Sequence, residues 1–284
     1  MKDNIHPSPI ISPWGRRRIL LAVTLGVLGL CDLSRSEEIR SVAPPDNESF
    51  HIYLLMGQSN MAGRDRRQLD TQKENPKILA LTPDGKWRVA KDPIHQKDGR
   101  TEPGAGPGIP FALEMLKLDP TVTIGLVPCA VGGSPLKRWV KGGDLYQRAI
   151  GHAEVAAQAG TIAGVLWHQG ETDSDKQPWA DSYEKRLSGM LRDLRRDLGQ
   201  LRLPIVVGQL GDFMSEQKHP YVDAVRTAIR KVANDVPNVG YADSKGLTDK
   251  GDKLHFDAES AGKLGERFAK AMVELQKKQA PRTR

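Results

Sequence analysis

Residues 50–63 read FHIYLLMGQSNMAG and decide the fold. The first seven, Phe50–Met56, form an almost continuous apolar run, which is typical of a strand buried on both faces of a sheet. Gly57–Asn60 then interrupts this run with small and polar residues, where we expect a helix to begin. A buried strand that ends in a polar, glycine-containing turn before a helix is the repeating unit of parallel α/β sheets.

The same alternation continues along the chain. Five strands are predicted, at Phe50–Met56, Val122–Pro128, Ile162–Trp167, Pro204–Leu210 and Asn238–Ala242. Helices are predicted at Pro107–Leu118, Leu145–Ala159, Ala180–Leu198, Tyr221–Asn234 and Glu259–Lys278. A small peripheral hairpin is predicted from Ile78–Leu81 and Trp87–Ala90. These elements predict one α/β domain, a three-layer α/β/α sandwich around a five-stranded, mostly parallel sheet.

The composition excludes several classes of partner and cofactor. The formal net charge is +7, and five basic and two acidic residues among the first 36 contribute +3 of it. The other Lys and Arg residues are dispersed among acids, which is typical of solvated helix faces and argues against nucleic-acid binding. No His/Cys/Asp cluster has the spacing of metal ligands, and there is no P-loop or GxGxxG motif, so we expect no cofactor.

The N-terminus has the pattern of an export signal. Arg16–Arg18 precedes an uncharged, largely apolar run of thirteen residues, Ile19–Cys31, which is too short to span a bilayer comfortably. We predict a signal peptide over residues 1–36, with cleavage near Glu37, and a secreted or periplasmic protein with no stable membrane partner beyond this signal. Lipidation at Cys31 and an uncleaved signal anchor are the alternatives.

The segment after the signal predicts where the domain begins. Residues 37–49 are polar with two prolines and predict a linker to a domain over residues 50–278, with a short tail at 279–284. Of the two cysteines, Cys31 is predicted to lie outside the domain, so Cys129 has no disulfide partner. Cys129 stands in an apolar stretch and is interpreted as a small buried hydrophobic residue rather than a nucleophile.

Polar loops follow four of the predicted strands. They are Gly57–Asn60, Ala130–Ser134, His168–Glu171 and the loop that carries Asp252–His255. Ligands of open α/β sheets bind beyond the carboxyl ends of the strands. We therefore expect these four loops to converge on one edge of the sheet and to form the site.

A serine nucleophile needs a base, an acid that orients the base, and N–H donors for the oxyanion. Ser59 follows the first strand directly, where its hydroxyl would be exposed. His255, in GDKLHFD, is the natural base, and Asp252 precedes it closely enough for one loop to present both side chains. Taken alone, Ser59 is also consistent with a helix cap, and the Asp252–His255 pair with a surface salt bridge.

Candidate oxyanion donors lie in the second and third loops. Gly132 and Gly133 allow the backbone to approach a ligand closely, and Gln169 carries an amide donor. An ordinary turn and a buried structural amide, respectively, are the alternative interpretations. His168 and Glu171 share the loop of Gln169 and form a conceivable second acid–base pair.

Five segments of the chain form a set that runs in order through nearly the whole domain. They are MGQSNMAGR (56–64), GPGIPFALEM (106–115), VPCAVGGSPLKRW (127–139), WHQGETD (167–173) and DKLHFD (252–257). Together they resemble the conserved segments of the SGNH, or GDSL-like, hydrolases, in the version found in sialate O-acetylesterases and acetylxylan esterases of carbohydrate esterase family 6. The resemblance implies the flavodoxin-like SGNH fold.

The resemblance also implies a role for each matching position. Ser59 matches the nucleophile, His255 the base and Asp252 the third member of the triad. The implied oxyanion hole comprises the backbone N–H groups of Ser59 and Gly132 and the side chain of Gln169, which stands where general SGNH enzymes have an Asn. Five further residues of these segments are interpreted as support for the substrate or the loops, namely Gln58, Asn60, Gly133, His168 and Glu171.

The implied activity is hydrolysis of O-acetyl esters on an oligo- or polysaccharide of the acetylxylan or sialic-acid type, without metal or organic cofactor. Trp87, Trp139 and Trp179 are candidates for stacking on sugar rings, and each also fits the edge of the core. A general SGNH esterase or lipase acting on non-sugar esters is one alternative function. A non-catalytic glycan-binding relative is the other.

Overall fold

Strands and helices alternate along the chain in the predicted order. The computed structural model describes residues 41–45, 47–67, 73–97 and 101–279. Strands lie at Phe50–Gly57 (β1), Ile78–Leu81 (β2), Trp87–Val89 (β3), Thr123–Pro128 (β4), Thr161–His168 (β5), Ile205–Gly208 (β6) and Val239–Ala242 (β7). Helices lie at Ser59–Ala62 (α1), Gly108–Leu118 (α2), Asp144–Ala157 (α3), Gln177–Asp181 (α4), Tyr183–Asp197 (α5), Val222–Asp235 (α6) and Ala258–Gln279 (α7).

All seven strands belong to one sheet, in the order β3-β2-β4-β1-β5-β6-β7. Every neighbouring pair is parallel except β2 and β3. The chain places β2 and β4 on one side of β1 and then crosses to β5 on the other side. The strand order therefore reverses beside β1, and such a switch point opens a crevice at the carboxyl ends of the strands.

The predicted number of five strands is wrong, although the mostly parallel α/β architecture is confirmed. The predicted hairpin of β2 and β3 is confirmed at the edge of the sheet. Its two strands add to the predicted five, because β2 pairs in parallel with β4 from Ile78 to Ala80. All four residues of β2 are buried. A strand buried on both faces joins the sheet, where its backbone groups find partners.

Helices cover both faces of the sheet. One apolar layer contains Phe111 of α2 together with Phe268 and Met272 of α7. The other contains Tyr146 of α3 and Tyr183 of α5, with apolar residues of α6. The predicted three-layer arrangement is therefore confirmed.

The helix predicted at Ala180–Leu198 is two helices that meet at Ser182. The Ser182 hydroxyl donates to the Pro178 carbonyl at 2.6 Å. Arg186 donates to the Trp179 carbonyl, also at 2.6 Å. Side chains thus occupy backbone acceptors that a continuous helix would use for its own N–H groups.

Several predictions fall wholly or partly outside the described residues. The signal peptide lies outside them, as do the first residues of the linker and all of the tail after Gln279. Of the linker, Val42 donates its backbone N–H to the Trp87 carbonyl at 2.8 Å, so this part lies against β3. In the described part of the chain, no helix has the length and apolar character needed to cross a membrane.

Gly57 joins β1 to the turn that carries Ser59 in a conformation that glycine favours, with φ of +130°. Replacing it by alanine is expected to lower the free energy of unfolding by about 3 kcal/mol. The physical reason is that a Cβ atom there would lie 2.0 Å from the His168 carbonyl oxygen. Urea unfolding of the full chain measures the change.

Gly189→Ala is the matched control, because a Cβ atom at this position of α5 meets nothing within 4 Å. Alanine favours a helix over glycine by about 1 kcal/mol, so the control is expected to be neutral or stabilising. Equal stability of Gly57→Ala and the wild type would contradict the predicted clash.

Candidate active site

Loops after β1, β4, β5, β6 and β7 meet at one edge of the sheet, as the strand-end rule predicts for four of them. They line a cleft of about 290 Å³ that contains Ser59, His255, the glycine pair Gly132-Gly133 and Glu171. The cleft lies beside the switch point of the sheet, where β4, β1 and β5 end.

Ser59, His255 and Asp252 form a continuous hydrogen-bonded row. His255 Nε2 lies 3.0 Å from Ser59 Oγ, and His255 Nδ1 lies 2.8 Å from Asp252 Oδ2. Because a carboxylate only accepts, this contact holds the proton of the neutral imidazole on Nδ1 and leaves the Nε2 lone pair facing the serine. The arrangement is that of a serine nucleophile with its base and its orienting acid.

The Asp252 carboxylate is held in its charged form by several donors. Its Oδ1 accepts the backbone N–H groups of Leu254 at 3.0 Å and His255 at 2.8 Å. Lys250 Nζ lies 2.9 Å from Oδ2. Desolvation raises the pKa of Asp252, but hydrogen bonds from the His255 ring and backbone and from Lys250 outweigh it, so the pKa falls below its ordinary value.

Asn60 fixes the loop that carries His255. Its Oδ1 accepts the backbone N–H of Phe256 at 3.0 Å, and its Nδ2 donates to the Leu254 carbonyl at 3.1 Å. Nδ2 also donates to Glu171 Oε1 at 2.6 Å. The side chain predicted as possible support therefore contacts the backbone on both sides of His255.

His168 and Glu171 are buried beside this contact. His168 Nε2 lies 3.0 Å from the Gln209 carbonyl, to which it donates, and Nδ1 lies 3.6 Å from Glu171 Oε1. Among the described residues, neither His168 nor Glu171 forms a hydrogen bond with the Ser59 hydroxyl, which is bonded to His255. Glu171 instead holds Asn60, and His168 holds the Gln209 carbonyl.

The Gln169 side chain does not face the cleft, so its predicted role in the oxyanion hole needs correction. It is 0% exposed. Three acceptors surround the two N–H groups of its Nε2, namely Asp173 Oδ2 at 2.7 Å, the Ser134 carbonyl at 3.1 Å and Gln58 Oε1 at 3.2 Å. Tyr183 donates to Gln169 Oε1 at 2.9 Å. Interior acceptors thus occupy the N–H groups that an oxyanion would require.

The glutamine that lines the cleft is Gln58 rather than Gln169. Its Oε1 points inward, toward the Gln169 amide and the backbone N–H groups of Gly170 at 3.5 Å and Thr172 at 3.4 Å. An inward oxygen leaves the amide nitrogen of Gln58 on the other side of the group. Gln58 lines the cleft beside Ser59.

The glycine loop after β4 is fixed at both ends. Val131 donates its N–H to the Gly57 carbonyl at 3.0 Å, and the Ser134 hydroxyl donates to the Val131 carbonyl at 2.7 Å. Gly133 has φ of +64°, which allows this tight turn. Gly132 and Gly133 both line the cleft. Ser59 is the first residue of α1, so its N–H has no acceptor within that helix.

The three tryptophans do not form a stacking platform at the cleft. Trp139 is fully buried, and Trp87 is buried with its ring edge against Phe50. Trp179 is half-buried, and Lys176 Nζ lies 4.4 Å from its ring centroid. None of the three tryptophans is among the residues that line the cleft, and stacking is wrong for Trp139, which has no exposed surface.

The predictions from sequence gave no role to several residues that line the cleft, among them Arg64 and His219. Arg64 is buried at the cleft wall and donates to the Gly63 carbonyl at 2.7 Å. His219 Nδ1 lies 2.7 Å from Asp175 Oδ1 at the rim. His219 lies in the loop after β6, and the strand-end rule applies to that loop as it does to the other four. Arg64 stood in the quoted segment MGQSNMAGR without a role.

Cys129 is buried, as predicted. Burial raises the pKa of its thiol to about 12, so it is a poor nucleophile. Among the residues that the structure describes, no group of three or more His, Cys, Asp or Glu side chains is placed to hold a metal ion.

Comparison of the sequence with known proteins identifies the family. The family model for carbohydrate esterases described as sialic acid-specific acetylesterases matches residues 49–274. A probable carbohydrate esterase from Arabidopsis thaliana is 36% identical over 255 residues, which cover 83% of this chain and 94% of that protein.

Solved structures share the fold. An Arabidopsis thaliana protein has a TM-score of 0.72 at 33% identity, over 81% of this chain and 99% of that one. NanS has a TM-score of 0.69 at 18% identity, over 84% and 99%. A carbohydrate acetylesterase from Xanthomonas citri has a TM-score of 0.60 at 20% identity, over 79% and 56%. The chain belongs to the sialic acid-specific acetylesterase family of carbohydrate esterases and is itself an esterase.

Proposed function

We propose that this protein hydrolyses O-acetyl esters on sugars through a Ser59-His255-Asp252 triad. One observation carries the proposal, namely the hydrogen-bonded row of these three side chains at the edge of the cleft. The family supplies the substrate class, because its members are carbohydrate esterases. Acetylxylan and O-acetylated sialic acid are the two substrate types implied by the resemblance.

In the proposed mechanism, Ser59 Oγ attacks the acetyl carbonyl carbon while His255 Nε2 accepts the hydroxyl proton. Asp252 stabilises the imidazolium that results. His255 then returns the proton to the departing sugar oxygen, which leaves as an alcohol, and an acetyl group remains on Ser59. Water attacks this acyl-enzyme with His255 again as base, and acetate is released.

For the oxyanion hole we propose the backbone N–H groups of Ser59 and Gly132 together with the side-chain amide of Gln58. The Gln58 amide is oriented by its inward Oε1, so the donor is in place before the charge develops. Preorganised donors are worth more in a partly buried site than in water. Gln169 acts through Gln58, whose amide it holds.

The lining of the cleft favours a sugar over a lipid. Arg64, Thr172, Asp175 and His219 offer charged or hydroxyl groups to a ligand, and Leu254 is the aliphatic side chain among the lining residues. Sugar hydroxyls form hydrogen bonds with such groups, whereas an acyl chain forms none. A lipase-type substrate is therefore the weaker candidate. A non-catalytic glycan-binding relative would not require the intact row from Ser59 to Asp252.

We further propose that the protein is exported, on the basis of Arg16–Arg18 and the short apolar run that follows them. Expression of the full chain in a bacterial host, followed by N-terminal sequencing of the protein outside the cytoplasm, checks this. A mature N-terminus near Glu37 is expected. An N-terminus that retains Met1 would contradict cleavage.

Ser59→Ala is expected to lower acetate release by at least about 10³-fold, because Ser59 Oγ is the hydroxyl that lies within hydrogen-bond distance of the base His255. Acetate is measured with acetylated xylan, O-acetylated sialic acid and p-nitrophenyl acetate. Ser188→Ala, a serine of α5 remote from the cleft, is the matched control. Equal rates in Ser59→Ala and wild type would refute the nucleophile. Hydrolysis of p-nitrophenyl acetate alone would refute the sugar specificity.

Gln58→Ala and Gln169→Ala are expected to change different quantities, the first the turnover rate and the second the stability of the fold. Loss of the Gln58 donor is expected to lower kcat about 10²-fold with little change in KM, because an oxyanion donor acts in the transition state. Gln169→Ala leaves Asp173 and Tyr183 with fewer buried partners, so its main effect is expected on the free energy of unfolding. Urea unfolding and steady-state kinetics of both variants make the comparison. Wild-type kcat in Gln58→Ala would remove Gln58 from the oxyanion hole.

A further inference from the structure

A second and larger cavity, of about 470 Å³, lies beside the active-site cleft. The turn between β2 and β3, the end of β4 and helix α3 form its walls. It has no role in the mechanism proposed above. Its lining combines arginine and histidine side chains with the first residues of the loop after β4.

Two guanidinium groups in this cavity lack a carboxylate partner. Arg88 donates to the Pro93 carbonyl at 3.5 Å, and Arg148 donates to the Cys129 carbonyl at 2.9 Å. Within the described part of the chain, neither forms an ion pair. Asp84 is the acidic residue of the lining, and its carboxylate lies 3.0 Å from Lys86 Nζ. Among the described residues, Arg88 and Arg148 therefore have no carboxylate that balances their charge.

A buried histidine of the same cavity has unused hydrogen-bonding groups. His95 is 4% exposed, and neither ring nitrogen forms a hydrogen bond of ordinary geometry with the described residues, although the Leu55 carbonyl lies near the ring. Burial lowers its pKa to about 3, with Arg64 and Arg148 adding to the effect and the Leu55 carbonyl opposing it. The ring is thus neutral and presents one N–H donor and one acceptor nitrogen. Buried polar groups without partners are uncommon and call for a ligand or water.

The cavity and the cleft share one loop. Ala130 and Val131 line the cavity, while the next two residues, Gly132 and Gly133, line the cleft with Ser59. The bond from the Val131 N–H to the Gly57 carbonyl fixes this loop beside the nucleophile. Because Val131 and Gly132 are consecutive residues, the cavity and the cleft adjoin across this loop.

We propose that this cavity binds the carboxylate of an acidic sugar unit in the glycan whose acetyl ester is cleaved at Ser59. The proposal rests on the proposed function and narrows its substrate to acidic O-acetylated glycans. Arg88 and Arg148 bind the carboxylate, because the guanidinium fork matches it in shape and charge. His95 contributes its N–H and its acceptor nitrogen to the hydroxyl groups of the same unit.

A binding experiment on the full chain tests this subsite independently of hydrolysis. Calorimetric titration with glucuronate, N-acetylneuraminate and neutral glucose measures Kd for each. At least one acid is expected to bind more tightly than glucose, and Arg148→Gln is expected to weaken that binding about tenfold. Arg192→Gln, which removes the same charge from an exposed position of α5, is expected to leave it unchanged. Which of the two acids binds separates a uronate from a sialate ligand.

The subsite is refuted if neither acid binds more tightly than glucose, or if a folded Arg88→Gln/Arg148→Gln double variant binds as well as wild type. Urea unfolding of that double variant shows whether it is folded, and Arg148→Gln alone serves if it is not. Acid binding without acetate release from any ester would overturn the proposed esterase mechanism and leave the subsite standing. Acetate release from an ester, together with equally weak binding of the acids and glucose, would refute the subsite and leave the esterase mechanism standing.

Discussion

The arrangement of the active site depends on the side chain of Asn60. Its amide oxygen and nitrogen contact the backbone just after and just before His255, while Ser59 precedes it in the chain. Ser59 and His255 are 196 residues apart in sequence, so a fixed contact must hold their side chains next to each other. Asn60 provides this contact, and Glu171 determines which end of the amide is the donor. A buried amide is stable only when both its oxygen and its nitrogen have hydrogen-bond partners. The Asn60 amide therefore favours the one position of the His255 loop that supplies those partners.

The same demand for partners explains why Gln169 and Gln58 have different roles. Asp173 is fully buried and needs donors for its charge, which it receives from Gln169, Arg186 and the Leu136 N–H. The Gln169 amide is therefore drawn into the interior. Gln58 lies one layer closer to the cleft, where only its oxygen has interior partners. Electrostatic stabilisation of a buried carboxylate thus decides which glutamine is left to face a substrate.

Much of the fold follows from local pattern, because an uninterrupted apolar run such as Phe50–Met56 has few alternatives to a buried strand. The strand-end rule then places Ser59 and His255 at one edge without knowledge of any contact. Local sequence pattern does not predict features that depend on a hydrogen-bond partner elsewhere in the chain. The pairing of β2 with β4, the break at Ser182 and the direction of the Gln169 amide each depend on groups that are remote in sequence or on side-chain bonds that periodicity does not contain.

The cleft and the cavity are separated by a loop of fixed geometry, and this has a consequence for selectivity. The Val131 N–H bond to Gly57 and the Ser134 hydroxyl bond to Val131 hold the loop on both sides. Trp139, which is buried in the core, donates its indole N–H to the Ser134 hydroxyl oxygen at 2.9 Å. If the cavity receives an acid and Ser59 an ester, the loop sets the spacing between them. A rigid spacer discriminates by distance, because binding energy from the acid lowers the barrier only when the acetyl carbonyl also reaches Ser59 Oγ. Selectivity would then reside in the pattern of acid and ester along the glycan, rather than in the shape of the acetylated unit alone.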